Sequence, residues 1–144
     1  MQTDETDRAL LALLAENARL PVATLARRLG LARSTVQARL ERLERSGVIA
    51  GYTLRLADAH RAPLRATALL SIEPRSAPAV LARLRSLPAV RRVHTTSGRF
   101  DLIVALEAQS TEELDDTIDR VGEARGVRGS ESLIHLATKI DRGD

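Results

Sequence analysis

The sequence predicts an α+β protein in which a short helical module precedes a module of strands and helices in the order βαββαβ. Up to Gly47, apolar side chains recur every three or four positions, which is typical of amphipathic helices. From Arg65 onward, several stretches alternate apolar and polar residues, which is typical of half-buried strands. The period changes around 57–64, a stretch without periodicity that contains Pro63. We therefore predict a helical domain over 1–52, a connector over 53–64 and a second domain over 65–144.

The composition is that of a globular protein and excludes several classes. Hydrophobic residues make up 44% and charged residues 28%, too apolar for a disordered chain. No apolar run approaches the roughly 20 residues that cross a bilayer, and the acidic N-terminus is unlike a targeting signal. The absence of cysteine excludes disulfides, thiolate zinc sites and cysteine nucleophiles. We expect a cytoplasmic protein with no membrane partner.

Positive charge is concentrated in one window of the chain. Residues 19–45 contain seven arginines against Glu41 and Glu44, a net charge of 7 − 2 = +5. From Thr53 onward, 14 basic residues nearly balance 13 acidic ones. All basic residues except Lys139 are arginine, the better reader of phosphate and guanine, although codon bias in a GC-rich genome explains this equally well. The distribution indicates a nucleic-acid-binding module with a neutral companion.

Three helices are predicted in the N-terminal module. Asp4 can cap the first helix, and Glu5 and Asp7 suit its first turn. Its buried stripe is Leu10, Leu11, Leu14 and Ala18. The second helix is predicted from Val22 to Leu29 after Pro21, and Gly30 ends it. The third runs from about Ser34 to Ser46, before a capping Gly47, and turns inward Val36, Leu40 and Leu43.

The second and third helices predict a helix-turn-helix. They are short, they are joined by a tight turn at Gly30, and small Ala26 lies where they cross. In that motif the start of the second helix of the pair reaches base edges, and flanking cations hold phosphates. The residues predicted near bases are Arg33, Ser34, Thr35, Gln37 and Ala38. Those predicted near the DNA backbone are Arg27, Arg28, Arg39 and Arg42. A plain three-helix bundle with a solvated Arg/Glu face is the alternative, and it leaves the Gly30 turn unexplained.

The remaining elements follow from alternation and caps. Residues 48–56 are strand-like and predict a short wing or connector. Strands are predicted at 65–72, 90–96, 100–108 and from 127 to about 140. Ser76 can cap the first intervening helix, and Ser110 with Glu113 predicts a capping box for the second. A tight turn is predicted at 97–99.

The βαββαβ order predicts a ferredoxin-like sheet with both helices on one face. The other face keeps apolar residues such as Leu69, Ile103 and Ala105. A second copy of the chain is the simplest cover, giving a two-fold homodimer. Such a dimer would present two helix-turn-helix modules to a pseudo-palindromic stretch of double-stranded DNA.

Two stretches, 25–53 and 95–108, resemble the Lrp/AsnC ("feast or famine") transcription regulators of bacteria and archaea. The resemblance extends from Asp4 to Lys139. It implies a winged helix-turn-helix joined to a ligand-binding βαββαβ domain. It also implies homodimers that often assemble into octamers, with an effector, commonly an amino acid, held between subunits. The chain departs from the family pattern in three places, namely Ala32 in place of a capping Ser, Ala62-Pro63 near the end of the connector, and Arg99.

The resemblance also implies an effector site. The family's Gly-x-aromatic-Asp turn matches Gly98, Arg99, Phe100 and Asp101, and neighbouring strand ends match His94, Thr96, Ser132 and Ile134. Asp101 would take an ammonium group, while the Gly98 N–H with the Thr96 or Ser132 hydroxyl would take a carboxylate. The alternative is that Gly98 and Asp101 serve only the hairpin.

The predicted function is sequence-specific transcriptional regulation, modulated by a small effector at a subunit interface. The alternative is an architectural, nucleoid-type DNA-binding protein that ignores any effector. No catalytic residue, cofactor or metal site is predicted, because the sequence has no phosphate-binding Gly loop and no nucleophile elbow. A minor alternative places His94 and His135 on adjacent strands, where they could bind a metal with Asp101.

Overall fold

The computed structural model describes residues 2–142 and confirms the α+β class. The chain divides between Arg55 and Leu56 into two compact units. Each unit has a hydrophobic core of its own. The finer division into domain, connector and domain stays a prediction.

The helical unit contains the three predicted helices. They are α1 (Glu5–Glu16), α2 (Val22–Leu29) and α3 (Arg33–Arg45), so α2 has its predicted bounds and α3 begins one residue early. Their buried stripes meet in one core, to which the main contributors are Leu10, Leu25, Ala26, Val36, Leu40 and Leu43. This packing turns the opposite side of α3 to solvent.

The turn between α2 and α3 is built on Gly30. Its φ of 66° and ψ of 34° are left-handed, a conformation that glycine adopts without steric cost. The Leu31 N–H donates to the Ala26 carbonyl at 2.9 Å, and the Gly30 N–H donates to Arg27 at 3.4 Å, the bond pair of a Schellman turn. Ala32 precedes α3 without a side-chain cap. The direction of α3 relative to α2 is therefore set by the backbone conformation and hydrogen bonds of this turn.

The strand-like expectation for 48–56 is wrong, because this segment forms no strand. A strand requires a hydrogen-bonded neighbour, and among the described residues no other stretch of the helical unit supplies one. The Ile49 N–H instead donates to the Leu43 carbonyl at 3.0 Å. The predicted wing is absent as a strand, and a single 3₁₀ turn at Asp58–His60 follows.

The second unit has the predicted βαββαβ order. Its elements are β1 (Leu64–Ile72), α4 (Ala77–Arg85), β2 (Val90–Thr95), β3 (Leu102–Ala108), α5 (Thr111–Gly122) and β4 (Val127–Ile134). The sheet order is β2-β3-β1-β4, and every pairing is antiparallel. This is the ferredoxin-like topology expected from the sequence.

The two sheet faces differ as expected. Ala68, Leu70, Leu102 and Val104 alternate toward α4 and α5, and all four are buried. Leu69 pairs with Ile103 on the other face, where both are only partly buried. This second face, called the open face below, also carries Ala105, Leu133 and His94.

Several predicted ends are wrong. β4 stops at Ile134 rather than near 140, because its one neighbour, β1, begins only at Leu64 and leaves later residues without a pairing strand. β3 starts at Leu102, so Phe100 lies outside it.

Two predicted caps are also wrong in part. Ser76 precedes α4, but its side chain makes no capping hydrogen bond. The Ser110 hydroxyl accepts the Glu113 N–H at 3.2 Å, as predicted for α5. The Glu113 carboxylate, however, accepts the N–H of Gln109 rather than that of Ser110, so the reciprocal box is displaced by one residue.

Candidate nucleic-acid and effector sites

The side of α3 opposite its buried stripe collects the residues predicted near bases. Val36, Leu40 and Leu43 point into the core, Arg39 is partly buried, and the other positions of the first two turns are exposed. These positions are Arg33, Ser34, Thr35, Gln37 and Ala38. We call this surface the α3 face. It carries one internal hydrogen bond, from Gln37 Nε2 to Glu41 Oε1 at 3.1 Å.

Arg27 and Arg28 lie in the last turn of α2 and are exposed. Within residues 2–142, neither guanidinium forms an ion pair. Both are therefore available to an external anion such as a phosphate.

Arg39 and Arg42 are committed to contacts inside the helical unit. Arg39 Nη1 lies 2.7 Å from Asp4 Oδ2 and 2.8 Å from Asp7 Oδ1. Arg42 Nη2 lies 2.7 Å from each carboxylate oxygen of Asp7. The Asp7 side chain is 0% exposed, whereas those of Arg39 and Arg42 are 24% and 44% exposed. Arg39 and Arg42, both predicted near the DNA backbone, are thus paired with acidic residues at the start of α1.

Asp4 and Asp7 also cap α1 reciprocally. The Asp7 N–H donates to Asp4 Oδ1 at 2.7 Å, and the Asp4 N–H donates to Asp7 Oδ2 at 3.2 Å. Sequence reasoning placed Asp7 only in the helix dipole and missed its burial. The available signal was the spacing, with two acids three residues apart at the start of α1 and two arginines three residues apart in α3.

The charges of this cluster stabilise one another. Burial alone would raise the pKa of Asp7, but hydrogen bonds from Arg39 and the Asp4 N–H, with the charge of Arg42, lower it below its ordinary value. Hydrogen bonds from Arg39 and the Asp7 N–H lower the pKa of Asp4. The hydrogen bonds that Arg39 donates to Asp4 and Asp7 raise the pKa of Arg39. Each of these three shifts favours the charged form of its group.

The Gly-x-aromatic-Asp turn between β2 and β3 is tied to the end of β1. The Asp101 N–H donates to the Leu70 carbonyl at 2.8 Å, and its carbonyl accepts the Thr96 N–H at 3.0 Å. One carboxylate oxygen of Asp101 accepts the Ile72 N–H at 2.8 Å, yet the residue is exposed. The carboxylate thus supports the turn and still faces solvent.

Arg99 lies across this turn. Its guanidinium carbon is 4.8 Å from the centre of the Phe100 ring, a cation–π distance. Its Nη2 atom is 3.6 Å from Glu131 Oε2 on β4, and the Arg99 side chain is 80% exposed. Thr96, Gly98, Arg99, Phe100 and Asp101 therefore share one corner, and His94 lies next to it on β2.

The other two predicted effector residues lie apart from that corner. Ser132 and Ile134 pair with Ala68 and Ala66 on the helix-covered side of the sheet, whereas His94 pairs with Ile103 on the open face. Ile134 lines a different cavity, of about 360 Å³, whose other walls are Leu64, Thr111, Glu112, Leu114, Asp115 and Ile118. Within one chain, the eight predicted residues do not form a single site.

The alternative of a histidine metal site is wrong. His94 is on β2 and His135 follows β4, and these strands occupy opposite edges of the sheet with two strands between them. At about 4.8 Å per strand, three steps separate the histidines by roughly 14 Å. His135 Nε2 instead lies 2.8 Å from Thr67 Oγ1. Across residues 2–142, no three His, Asp or Glu side chains gather as metal ligands.

In the same range no helix is both long and apolar enough to cross a membrane.

The two units match two known protein families. Residues 3–50 match the family described as winged helix-turn-helix DNA-binding. Residues 65–144 match the Lrp/AsnC ligand binding domain.

Relatives are similar along nearly the whole chain. The HTH-type transcriptional regulator FL11 of Pyrococcus furiosus is 29% identical over 92% of this chain and 89% of its own length. The solved structure of Escherichia coli AsnC superposes with a TM-score of 0.89 at 24% identity, covering 100% of this chain and 99% of that one. A Neisseria meningitidis transcriptional regulator in complex with L-Met gives a TM-score of 0.88 at 24% identity, covering 97% and 94%. At these identities, the two structural likenesses show the fold of the chain.

Proposed function

Because the chain belongs to the Lrp/AsnC family of DNA-binding transcriptional regulators, we propose that it recognises specific DNA sites through the α3 face and that an amino-acid effector modulates this binding. The observation that carries the proposal is that the five side chains predicted near bases are all exposed on one helix face. The turn at Gly30 sets that helix beside α2, whose last turn supplies Arg27 and Arg28.

The residues would divide the work by chemistry. Arg33 and Gln37 can make bidentate contacts with guanine and adenine edges, while Ser34, Thr35 and Ala38 complete the fit to the groove. Arg27 and Arg28 would bind phosphates, which sets affinity and register but not sequence. Arg39 and Arg42, held by Asp7, would support α3 from within.

Binding isotherms over a salt series test this division. The duplexes would be the DNA upstream of the protein's own gene and a scrambled version of it. Gln37→Ala should lose about tenfold preference for the specific duplex, because a bidentate base contact is removed. Arg28→Ala should weaken both duplexes alike and reduce the salt slope by about 0.9, whereas Arg39→Gln should leave the slope unchanged. Joint substitution of Arg33, Ser34 and Gln37 without any loss of preference would disprove the reading role of α3.

The effector site would lie at the Gly-x-aromatic-Asp turn. Asp101 offers an exposed carboxylate for an ammonium group, and the Gly98 N–H offers a donor for a carboxylate. The Thr96 hydroxyl donates to the Ser97 carbonyl at 3.1 Å and would have to turn from it to bind a ligand. Because Ser132 and Ile134 lie elsewhere on the same chain, a second copy would have to bring its own to this corner. The L-Met complex of the Neisseria meningitidis regulator, which shares the fold, supports an amino acid as the ligand class.

A thermal-shift screen against the twenty amino acids tests the ligand class. A ligand that prefers the folded chain raises Tm, by an amount that grows with its concentration over Kd. We expect one amino acid, or a few, to raise Tm and to change DNA affinity at the same concentration. If none of them does either, the effector is not an amino acid.

The open face supports homodimerisation. Leu69, Ile103 and Ala105 are partly exposed there, and Leu133 is 50% exposed. Light scattering should find a dimer or a higher assembly of dimers, and Ile103→Glu should shift it toward monomer by placing a charge in the apolar interface. A monomer in the wild-type protein would contradict this assignment.

Footprinting separates regulation from a purely architectural role. We propose that the protein acts in the cytoplasm, where the chromosome lies. A regulator should protect a defined two-fold-related site on that DNA. Uniform coating of long tracts, unaffected by every amino acid, would favour the architectural role.

A further inference from the structure

We propose that Glu41 determines the base that Gln37 reads, by holding the Gln37 amide in one orientation that recognises adenine. Glu41 acts through Gln37 and is therefore a positioning residue. The inference rests on the proposed function of the α3 face.

The hydrogen bond between the two side chains fixes the amide. Gln37 Nε2 lies 3.1 Å from Glu41 Oε1, one helical turn further along α3. An ionised carboxylate has acceptors only, so the amide must turn its NH₂ group, and not its oxygen, toward Glu41. Among the described residues the Gln37 side chain makes no other hydrogen bond, and both residues are exposed. One N–H and the carbonyl oxygen of Gln37 therefore remain free and point away from Glu41.

That remaining pair of groups matches adenine. In the major groove adenine presents the N7 acceptor beside the N6 donor, whereas guanine presents two acceptors, N7 and O6. An unrestrained glutamine can turn both N–H groups outward, which suits guanine. With one N–H committed to Glu41, Gln37 keeps one donor and one acceptor, the combination that adenine requires. The contact thus favours adenine and disfavours guanine.

A carboxylate at position 41 lowers the affinity of the α3 face for DNA, so its presence there calls for a compensating role. Glu41 brings negative charge to a surface that would face phosphates, which lowers affinity for any duplex. Glu44, on the same helix, is occupied differently, since its Oε1 accepts the Tyr52 hydroxyl at 2.8 Å. Glu44→Gln therefore removes the same charge from α3 without touching Gln37, and it serves as the matched control.

The test is a base-by-base affinity profile of the full-length protein, measured with duplexes that vary one position of its site at a time. Glu44→Gln should strengthen binding to every duplex by a similar factor and leave the profile unchanged. Glu41→Gln should strengthen binding similarly but lower the preference for adenine over guanine at one position by about fivefold. The new amide can donate as well as accept, so it no longer fixes the Gln37 orientation. Circular dichroism should show all variants equally folded, because the substituted side chains are exposed.

A double mutant distinguishes indirect from direct readout. In a Gln37→Ala background, Glu41→Gln should leave the profile unaltered, because the residue through which Glu41 acts is gone. A change of profile in that background would mean that Glu41 contacts a base itself, and the inference would be wrong. It would equally be wrong if Gln37→Ala altered the profile and Glu41→Gln alone did not. Absence of any sequence preference in the wild-type protein would instead overturn the proposed function and this inference together.

Discussion

Asp7 is the clearest single-residue determinant in the helical unit. Its carboxylate is fully buried, and a buried charge is tolerated only when it is paired and hydrogen-bonded. Asp7 meets that condition through Arg39, Arg42 and the N–H of Asp4. The residue thereby couples the start of α1 to α3, the helix that carries the α3 face.

We expect Asp7→Asn to lower the free energy of unfolding of the helical unit by about 3 kcal/mol, because it removes the buried anion that pairs with Arg39 and Arg42. Asp4→Asn is the control, since Asp4 is half exposed and should cost much less. Urea unfolding followed by circular dichroism measures both. Equal losses in the two variants would contradict the special role of Asp7.

The same cluster makes the stability of the helical unit sensitive to acid. The folded pKa values of Asp4 and Asp7 lie below the ordinary value of 3.8, so their stabilisation is complete above that pH and is lost as pH falls through the folded values. Urea midpoints should stay level down to about pH 5 and fall below pH 4. The fall should be shallower in Asp7→Asn, and an identical profile in that variant would exclude this carboxylate as the cause.

Asp101 has two candidate roles that a pair of substitutions separates. Asp101→Asn keeps an oxygen to accept the Ile72 N–H but removes the charge, whereas Asp101→Ala removes both. We expect both variants to lose the Tm increase caused by the effector. Only Asp101→Ala should also lose about 1 kcal/mol of stability. An unchanged effector response in Asp101→Asn would mean that the carboxylate only stabilises the turn and does not bind the effector.

At the scale of elements, the turn between α5 and β4 allows little change. Gly126 has a φ of 99°, and a Cβ there would lie 2.5 Å from the Cβ of Ser76 at the start of α4. The helical layer and the edge strand thus approach each other across a backbone that carries no side chain.

Gly126→Ala should lower the unfolding free energy of the second unit by at least about 2 kcal/mol, from steric overlap and left-handed strain. Gly129→Ala is the matched control, since it lies three residues further on, has ordinary φ and has no atom within 4 Å of an added Cβ. Thermal unfolding measures both variants. A Gly126→Ala protein as stable as the control would show that this turn relaxes.

For the whole molecule, the two separate cores predict two unfolding transitions. No residue of one hydrophobic cluster belongs to the other, and the cores lie on either side of the division between Arg55 and Leu56. Calorimetry should therefore resolve one transition lowered by Asp7→Asn and another lowered by Gly126→Ala. A single transition that both substitutions lower equally would show that the units unfold as one.

Local patterns predicted much of this molecule in advance. The bounds of α2, the turn at Gly30 and the βαββαβ order follow from periodicity, caps and turn residues, all of which act within a few positions. The prediction of a strand-like segment over 48–56 was wrong, because alternation alone does not supply a strand partner. The predicted end of β4 was wrong for the same reason, since the neighbouring strand determines where pairing stops.

The sequence by itself determined the fold class, the family resemblance and which residues of α3 face outward, because a helix presents its sides at a fixed period. Only the tertiary structure decided that Arg39 and Arg42 bind Asp7, from which they are separated by 32 and 35 positions. It also decided that Asp101 accepts the N–H of Ile72, 29 positions away, and that Ser132 lies apart from it. Such pairings depend on where distant segments pack, and no spacing along the chain records that.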